Sequence, residues 1–94
     1  MPTSYVLRQN EPNPFEGGTF IEFCVPSLCC ASLKIINVEG RVIRALLSGL
    51  QPAGYHVVAW DGRDEGNHQV NPGVYFYRLE AGEFGQTRKM VLAR

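Results

Sequence analysis

Apolar and polar positions alternate in short bursts along this chain, and glycine or proline closes almost every burst. Over Thr19–Val25, Ile21, Phe23 and Val25 share one parity while Glu22 and Cys24 share the other, which predicts a strand with one apolar face. The same alternation sets Leu33 and Ile35 against Lys34 within Ser32–Val38, and sets His56, Val58 and Trp60 on one face of Tyr55–Trp60. Tyr5–Asn10, Arg41–Leu47, Val74–Ala81 and Phe84–Ala93 bring the extended segments to about seven. Prolines and glycines keep Glu11–Gly18 out of any ladder, and Pro26-Ser27-Leu28 turns the chain. Glu39-Gly40 and Gly82-Glu83 read as two-residue hairpin connections. Ser48–Gly54 and Asp61–Pro72 read as loops. Arg41–Leu47 is ambiguous, because Val42, Ile43, Leu46 and Leu47 also fit a helical period. Only about two turns are available there, without a cap, so strand is the reading.

Short strands with turn signals at this spacing predict an all-β sandwich, one domain over residues 1–94. Gly73-Val74-Tyr75-Phe76-Tyr77 has the form of a tyrosine corner, the device that ties strand F of an immunoglobulin-type sandwich to the loop before it. A hairpin at Glu39-Gly40 favours the fibronectin-III-like variant of the Ig-like fold, about seven antiparallel strands with A, B and E in one sheet and C′, C, F and G in the other. Phe23, Leu33, Ile35, Val58, Trp60, Tyr75 and Tyr77 are the expected core, and Gly73 with the two tyrosines holds strand F.

Charge narrows the function. The formal net charge is zero, which gives no electrostatic pull toward nucleic acid. No apolar run approaches the ~20 residues of a membrane span, so membrane insertion is not expected. Met1-Pro2-Thr3-Ser4 leads straight into a strand-like run, so no signal peptide is read here. The expectation is a small soluble cytosolic protein or a domain of a longer one. Cys24, Cys29 and Cys30 are an odd set; reduced thiols are favoured over a disulfide or a metal site.

No acid–base or nucleophile constellation stands out, so the chain is read as non-enzymatic. Trp60 is weighed as a sugar-stacking residue against core packing, and core packing is preferred; His56 is read as a packed, hydrogen-bonded histidine. Asp61, Asp64 and Asn67 are weak calcium candidates, set against a polar turn in which the carboxylates bond backbone N–H groups. No other cofactor is expected. Arg63, Arg78, Arg88, Lys89 and Lys34 form a candidate basic face, with Tyr5, Tyr55 and Phe76 interleaved. Phe20, Ile36 and Phe76 fall on outward positions and make a candidate contact patch.

Several of these segments resemble, in order, a known bacterial domain. Leu7-Arg8-Gln9-Asn10-Glu11-Pro12-Asn13-Pro14-Phe15 is similar to the entry motif of the C-terminal sorting domains of the type IX secretion system, and to the related Ig-like domain of the FlgD-type hook-capping family. The likeness continues through Leu33–Ile43, Pro52–Asp64, Gly73–Leu79 and Thr87–Leu92. Glu11 stands where the family has an aromatic residue, and Cys29 and Cys30 where it has Gly and a polar residue. The resemblance implies a non-catalytic sorting or anchoring module of a secreted or cell-surface bacterial precursor. Its partners would be secretion machinery or domains of the parent protein, with Lys89, Arg88 and Arg78 as recognition residues and the last strand read by the translocon. Two other readings are a structural or assembly domain of the hook-capping type and a carbohydrate-binding accessory domain.

Overall fold

Strand alternation decides the architecture. In a computed structural model describing residues 4–93, the strands are β1 (Val6–Leu7), β2 (Thr19–Val25), β3 (Cys29–Ile36), β4 (Val42–Gln51), β5 (Gly54–Trp60), β6 (Gly73–Ala81) and β7 (Phe84–Leu92). They form two antiparallel sheets, ordered β1-β2-β5 and β4-β3-β6-β7, which is the expected fibronectin-type arrangement. Two one-sided sheets must bury their apolar faces against each other, and that interface is the core. Ile21, Phe23 and Val25 from β2 meet Leu33 and Ile35 from β3 and Tyr77 and Leu79 from β6, all fully buried. Trp60 closes one end, edge-on to Phe15 at 5.7 Å and to Tyr75 at 5.8 Å between centroids. Of the expected core, Val58 alone is only partly buried.

The β3–β4 hairpin departs from the expectation. Its connection is not two residues but Asn37–Arg41, held by Asn37 Oδ1, which accepts from Glu39 N at 3.0 Å and from Arg41 N at 2.9 Å. Gly40 is still required there, with φ at 83°. Both strands also extend further from the turn, so Cys29–Ala31 pairs with Gly49–Gln51, which the sequence reads as loop. Mutual pairing overrides the small and polar composition of these ends. At the other hairpin Gly82 alone is left-handed (φ 58°), the glycine-first pattern of a II′ turn. The first strand shrinks from Tyr5–Asn10 to Val6–Leu7, because Gln9 and Asn10 bond elsewhere. No helix among the described residues is long and apolar enough to cross a membrane.

Candidate interaction surface

A β-sandwich offers a partner two things, its strand edges and its outer faces. The edge of β7 is largely sealed. Gln9 Nε2 donates to Lys89 O at 2.7 Å, and Val91 N donates to Asn13 Oδ1 at 3.0 Å. Phe15 N donates to Val91 O at 3.0 Å, and Ala93 N donates to Phe15 O at 2.7 Å. The segment after β1 thus runs along the C-terminal half of β7 and pairs Lys89 O, both backbone groups of Val91 and Ala93 N. Asn10 stiffens this segment from within: its Nδ2 donates to Pro12 O and to Thr19 Oγ1, both at 3.1 Å. Sequence reasoning marks Gln9, Asn10, Asn13 and Phe15 as motif positions but does not find this task. The available signal is a run of amides between prolines, at a place where backbone donors have no ladder.

The tyrosine corner is present. Tyr75 Oη donates to Asn71 O, four residues upstream, at 2.5 Å. Gly73 opens the strand with φ 145°, a conformation side-chain-bearing residues rarely adopt. Tyr77 spans the sandwich instead: its hydroxyl donates to Arg8 O at 2.7 Å and accepts from Asn10 N at 2.8 Å. Burial pushes its phenol pKa up, against the lowering effect of the Asn10 N–H and of the nearby Arg88 charge.

The basic residues do not share one face. Arg88 lies on the inward parity of β7, opposite Tyr77, and its Nε donates to Leu7 O at 2.7 Å, clamping the two sheets together. Lys34 and Arg78 are neighbours on the outer face of the four-stranded sheet. Arg78 lies over Gly85, where an added Cβ would meet its guanidinium, and bonds Thr87 Oγ1 at 3.0 Å. Lys89 projects from the same outer face beside Phe76, which is flanked in turn by Ile36 and then Val42. Arg63 sits in the long loop and donates to Asn67 O at 3.1 Å. The outward aromatics are equally divided. Phe20 and Tyr55 lie on the outer face of the three-stranded sheet, Phe76 on that of the other, and Tyr5 stacks on Phe84 at 5.2 Å.

Trp60 is 1% exposed and its Nε1 donates to Arg63 O at 2.9 Å, so its ring is not open to a glycan. His56 is packed as expected, stacked on Phe23 at 5.0 Å with Nε2 2.8 Å from Pro52 O. In the long loop, Asp61 Oδ1 accepts from Arg63 N at 3.0 Å and from Arg44 Nη1 at 3.1 Å. Asp64 Oδ1 accepts from His68 N at 2.9 Å, and that backbone bond leads the causes lowering its carboxyl pKa. Asn67 takes the left-handed turn conformation, φ 65°. These are the bonds of a self-satisfied polar turn, and among the described residues no group of three or more His, Cys, Asp or Glu is arranged to hold a metal. The three cysteines are free thiols: Cys24 buried, Cys29 partly buried, Cys30 exposed. Burial, then the Glu22 charge, pushes the Cys24 thiol up.

The model of the FlgD Ig-like domain family matches residues 26–83, more than half of the chain. The chain belongs to the FlgD Ig-like domain family. The matched span runs from the turn before β3 to the tip of the β6–β7 hairpin, and so includes the tyrosine corner and Trp60. FlgD Ig-like domains are non-catalytic, and this chain is not an enzyme. Comparison with curated proteins gives no match. Among solved structures the FlgD Ig-like fold recurs in dimeric latent PorU from Porphyromonas gingivalis, at TM-score 0.74 and 18% identity, over 94% of this chain and 9% of that one. It recurs also in PorZ, described as an essential surface component of the type IX secretion system of the same bacterium, at TM-score 0.65 and 19% identity, over 92% of this chain and 11% of that one. The chain therefore spans about a tenth of the length of each of these two proteins. At these identities the likeness is one of fold.

Proposed function

We propose that this FlgD Ig-like domain is a non-catalytic sorting or anchoring module of a secreted or cell-surface bacterial protein, recognised by secretion machinery. The observation that carries the reading is the recurrence of the sandwich, over 92% of this chain, in PorZ, a surface component of a type IX secretion system. The ordered motifs from Leu7 to Leu92 support it from the sequence side. Recognition acts through a rigid display of surface, because Phe15, Phe23, Trp60, Tyr75 and Tyr77 are buried in the core and hold the two sheets together. Lys89 and Arg78, on the outer face of the four-stranded sheet, are the proposed recognition residues. Arg88 contributes by holding β7 against β1. The last strand is read by its outward side chains and not by strand addition to its C-terminal half, where Gln9, Asn13 and Phe15 already occupy the backbone.

The test is export. The chain, fused behind a reporter carrying a signal peptide, is expressed in a bacterium with a type IX system. The expected result is reporter at the surface or in the medium, reduced by Lys89→Glu with no change in melting temperature. Reporter held in the periplasm by the unaltered fusion overturns the proposal. A second reading, an assembly domain, is favoured by the FlgD family match itself. No export, combined with concentration-dependent oligomers, selects it.

A further inference from the structure

Three of the four sheet edges carry a guard. β7 is covered along its C-terminal half as described, and β1 has only two residues. On β4, Glu65 N donates to Ile43 O and Ala45 N donates to Glu65 Oε1, both at 3.0 Å, and two register shifts bend the strand. β5 has no such device. Its sequence, Gly-Tyr-His-Val-Val-Ala-Trp, contains no charge and no proline, and its register against β2 has no bulge.

The direction of its free backbone groups follows from β2. Glu22 O accepts from Arg8 N, and Phe20 exchanges two bonds with Glu11, so the even positions of β2 face β1 and its flanking segment. The odd positions, Thr19 to Val25, therefore bond β5 through their partners Trp60, Val58, His56 and Gly54. Tyr55, Val57 and Ala59 are left pointing their N–H and C=O groups away from the sheet. Among the described residues, no hydrogen bond outside the β2 ladder reaches the backbone of Gly54–Trp60. The same residues expose their side chains, Tyr55 by 61% and Val57 by 64%, beside Phe20 at 58%.

We infer that the β5 edge is a self-association surface, whose occupant is β5 of a second copy, antiparallel about a two-fold axis through Val57. Val57 is the middle residue of Gly54–Trp60. In that register Tyr55 lies opposite Ala59 of the copy and Val57 opposite itself. Every outward N–H and C=O of the three residues then finds a partner, Tyr55 faces the small Ala59, and the two exposed Val57 side chains cover each other. The interface is isologous, so it closes at two copies. No charge on β5 opposes its like, and a formal net charge of zero removes long-range repulsion between copies. One strand pair falls short of the ~1,000 Å² expected of a stable interface, so the dimer is weak and concentration-dependent.

The experiment is sedimentation equilibrium of the full chain under reducing conditions, which keep Cys30 from cross-linking copies, with amide NMR over the same concentrations. A monomer–dimer equilibrium is expected, with shifts and slowed exchange at the amides of Tyr55, Val57 and Ala59. Val57→Lys sets two like charges face to face and weakens association at least about tenfold. Val74→Lys, on the outer face of the other sheet, leaves it unchanged. A chain monomeric at all concentrations, a dimer indifferent to Val57→Lys, or concentration-dependent shifts confined to other residues each overturns the inference. A monomer whose β5 amides respond to an extended Tyr-His-Val-Val-Ala peptide overturns it too, in favour of a strand from a different protein.

Discussion

Tyr75 and Tyr77 share the inward face of β6, yet their hydroxyls do different work. Tyr75 Oη ties its strand to the preceding loop by donating to Asn71 O. Tyr77 Oη serves two partners across the sandwich, and one of them, Asn10 N, is a backbone donor. Removing the Tyr77 hydroxyl leaves that donor in the interior without an acceptor, which costs more than loss of a single bond. Tyr77→Phe is therefore expected to lower stability by about 2–3 kcal/mol, and Tyr75→Phe by about 1–2 kcal/mol, read from urea midpoints at unchanged slope. Equal losses would contradict the assigned roles. The Tyr77 phenol also sets an alkaline limb. Its folded pKa is raised, chiefly by burial, so the unfolded chain ionises first. This group's contribution is intact below about pH 10, the ordinary phenol value, and is lost as pH rises toward the folded pKa. Tyr77→Phe should flatten the fall in stability above about pH 10, and an unchanged limb would assign it to other groups. The inward parity of both tyrosines, like that of Trp60 and His56, is legible in the sequence, because alternation fixes a face. The partners of the Tyr77 hydroxyl, the acceptor Arg8 O and the donor Asn10 N, are not, because the fold brings them there.

Edges, more than faces, separate the elements of this chain. Asn13 illustrates this, since its side chain supplies the ladder acceptor that Val91 N lacks. Asn13→Ala is expected to cost about 1 kcal/mol and to speed hydrogen exchange at Val91 selectively. Uniform acceleration across β6 and β7 would mean that the segment stabilises the sandwich only globally. The same attention to edges explains what the sequence hides. β2 is legible to the residue, because clean alternation lies between Gly17-Gly18 and Pro26. β4 is not, and its bulges are the reason. Register shifts against β3 between Leu33 and Lys34 and between Ile35 and Ile36 insert extra residues, so that Ile43, Leu46 and Leu47 all pack on the core. A strand bulged in this way writes apolar residues at helical spacing. The basic face dissolves for a related reason: Arg88 and Lys89 are adjacent in sequence, and adjacency in a strand means opposite faces.

At the scale of the whole molecule, the two sheets share one core and have little independent apolar content. On one side Arg88, Gln9 and Asn13 join β1 and its following segment to β7. On the other, Arg44 of β4 reaches Asp61 Oδ1 and Arg63 O just beyond β5, at 3.1 and 3.0 Å. Neither sheet keeps a buried face once they part, so separation and unfolding are one event. Trp60 makes this measurable. It is the only tryptophan, it is 1% exposed, and its ring touches Phe15 and Tyr75, the latter from the opposite sheet. Its fluorescence reports inter-sheet contact, while far-UV circular dichroism reports the strands. The two signals are expected to superimpose in a single urea transition, with a slope of about 1 kcal/mol/M for a chain of this size. A fluorescence change at lower urea than the loss of strand signal would reveal sheets that persist apart. The shared core would then not be what makes the strands stable.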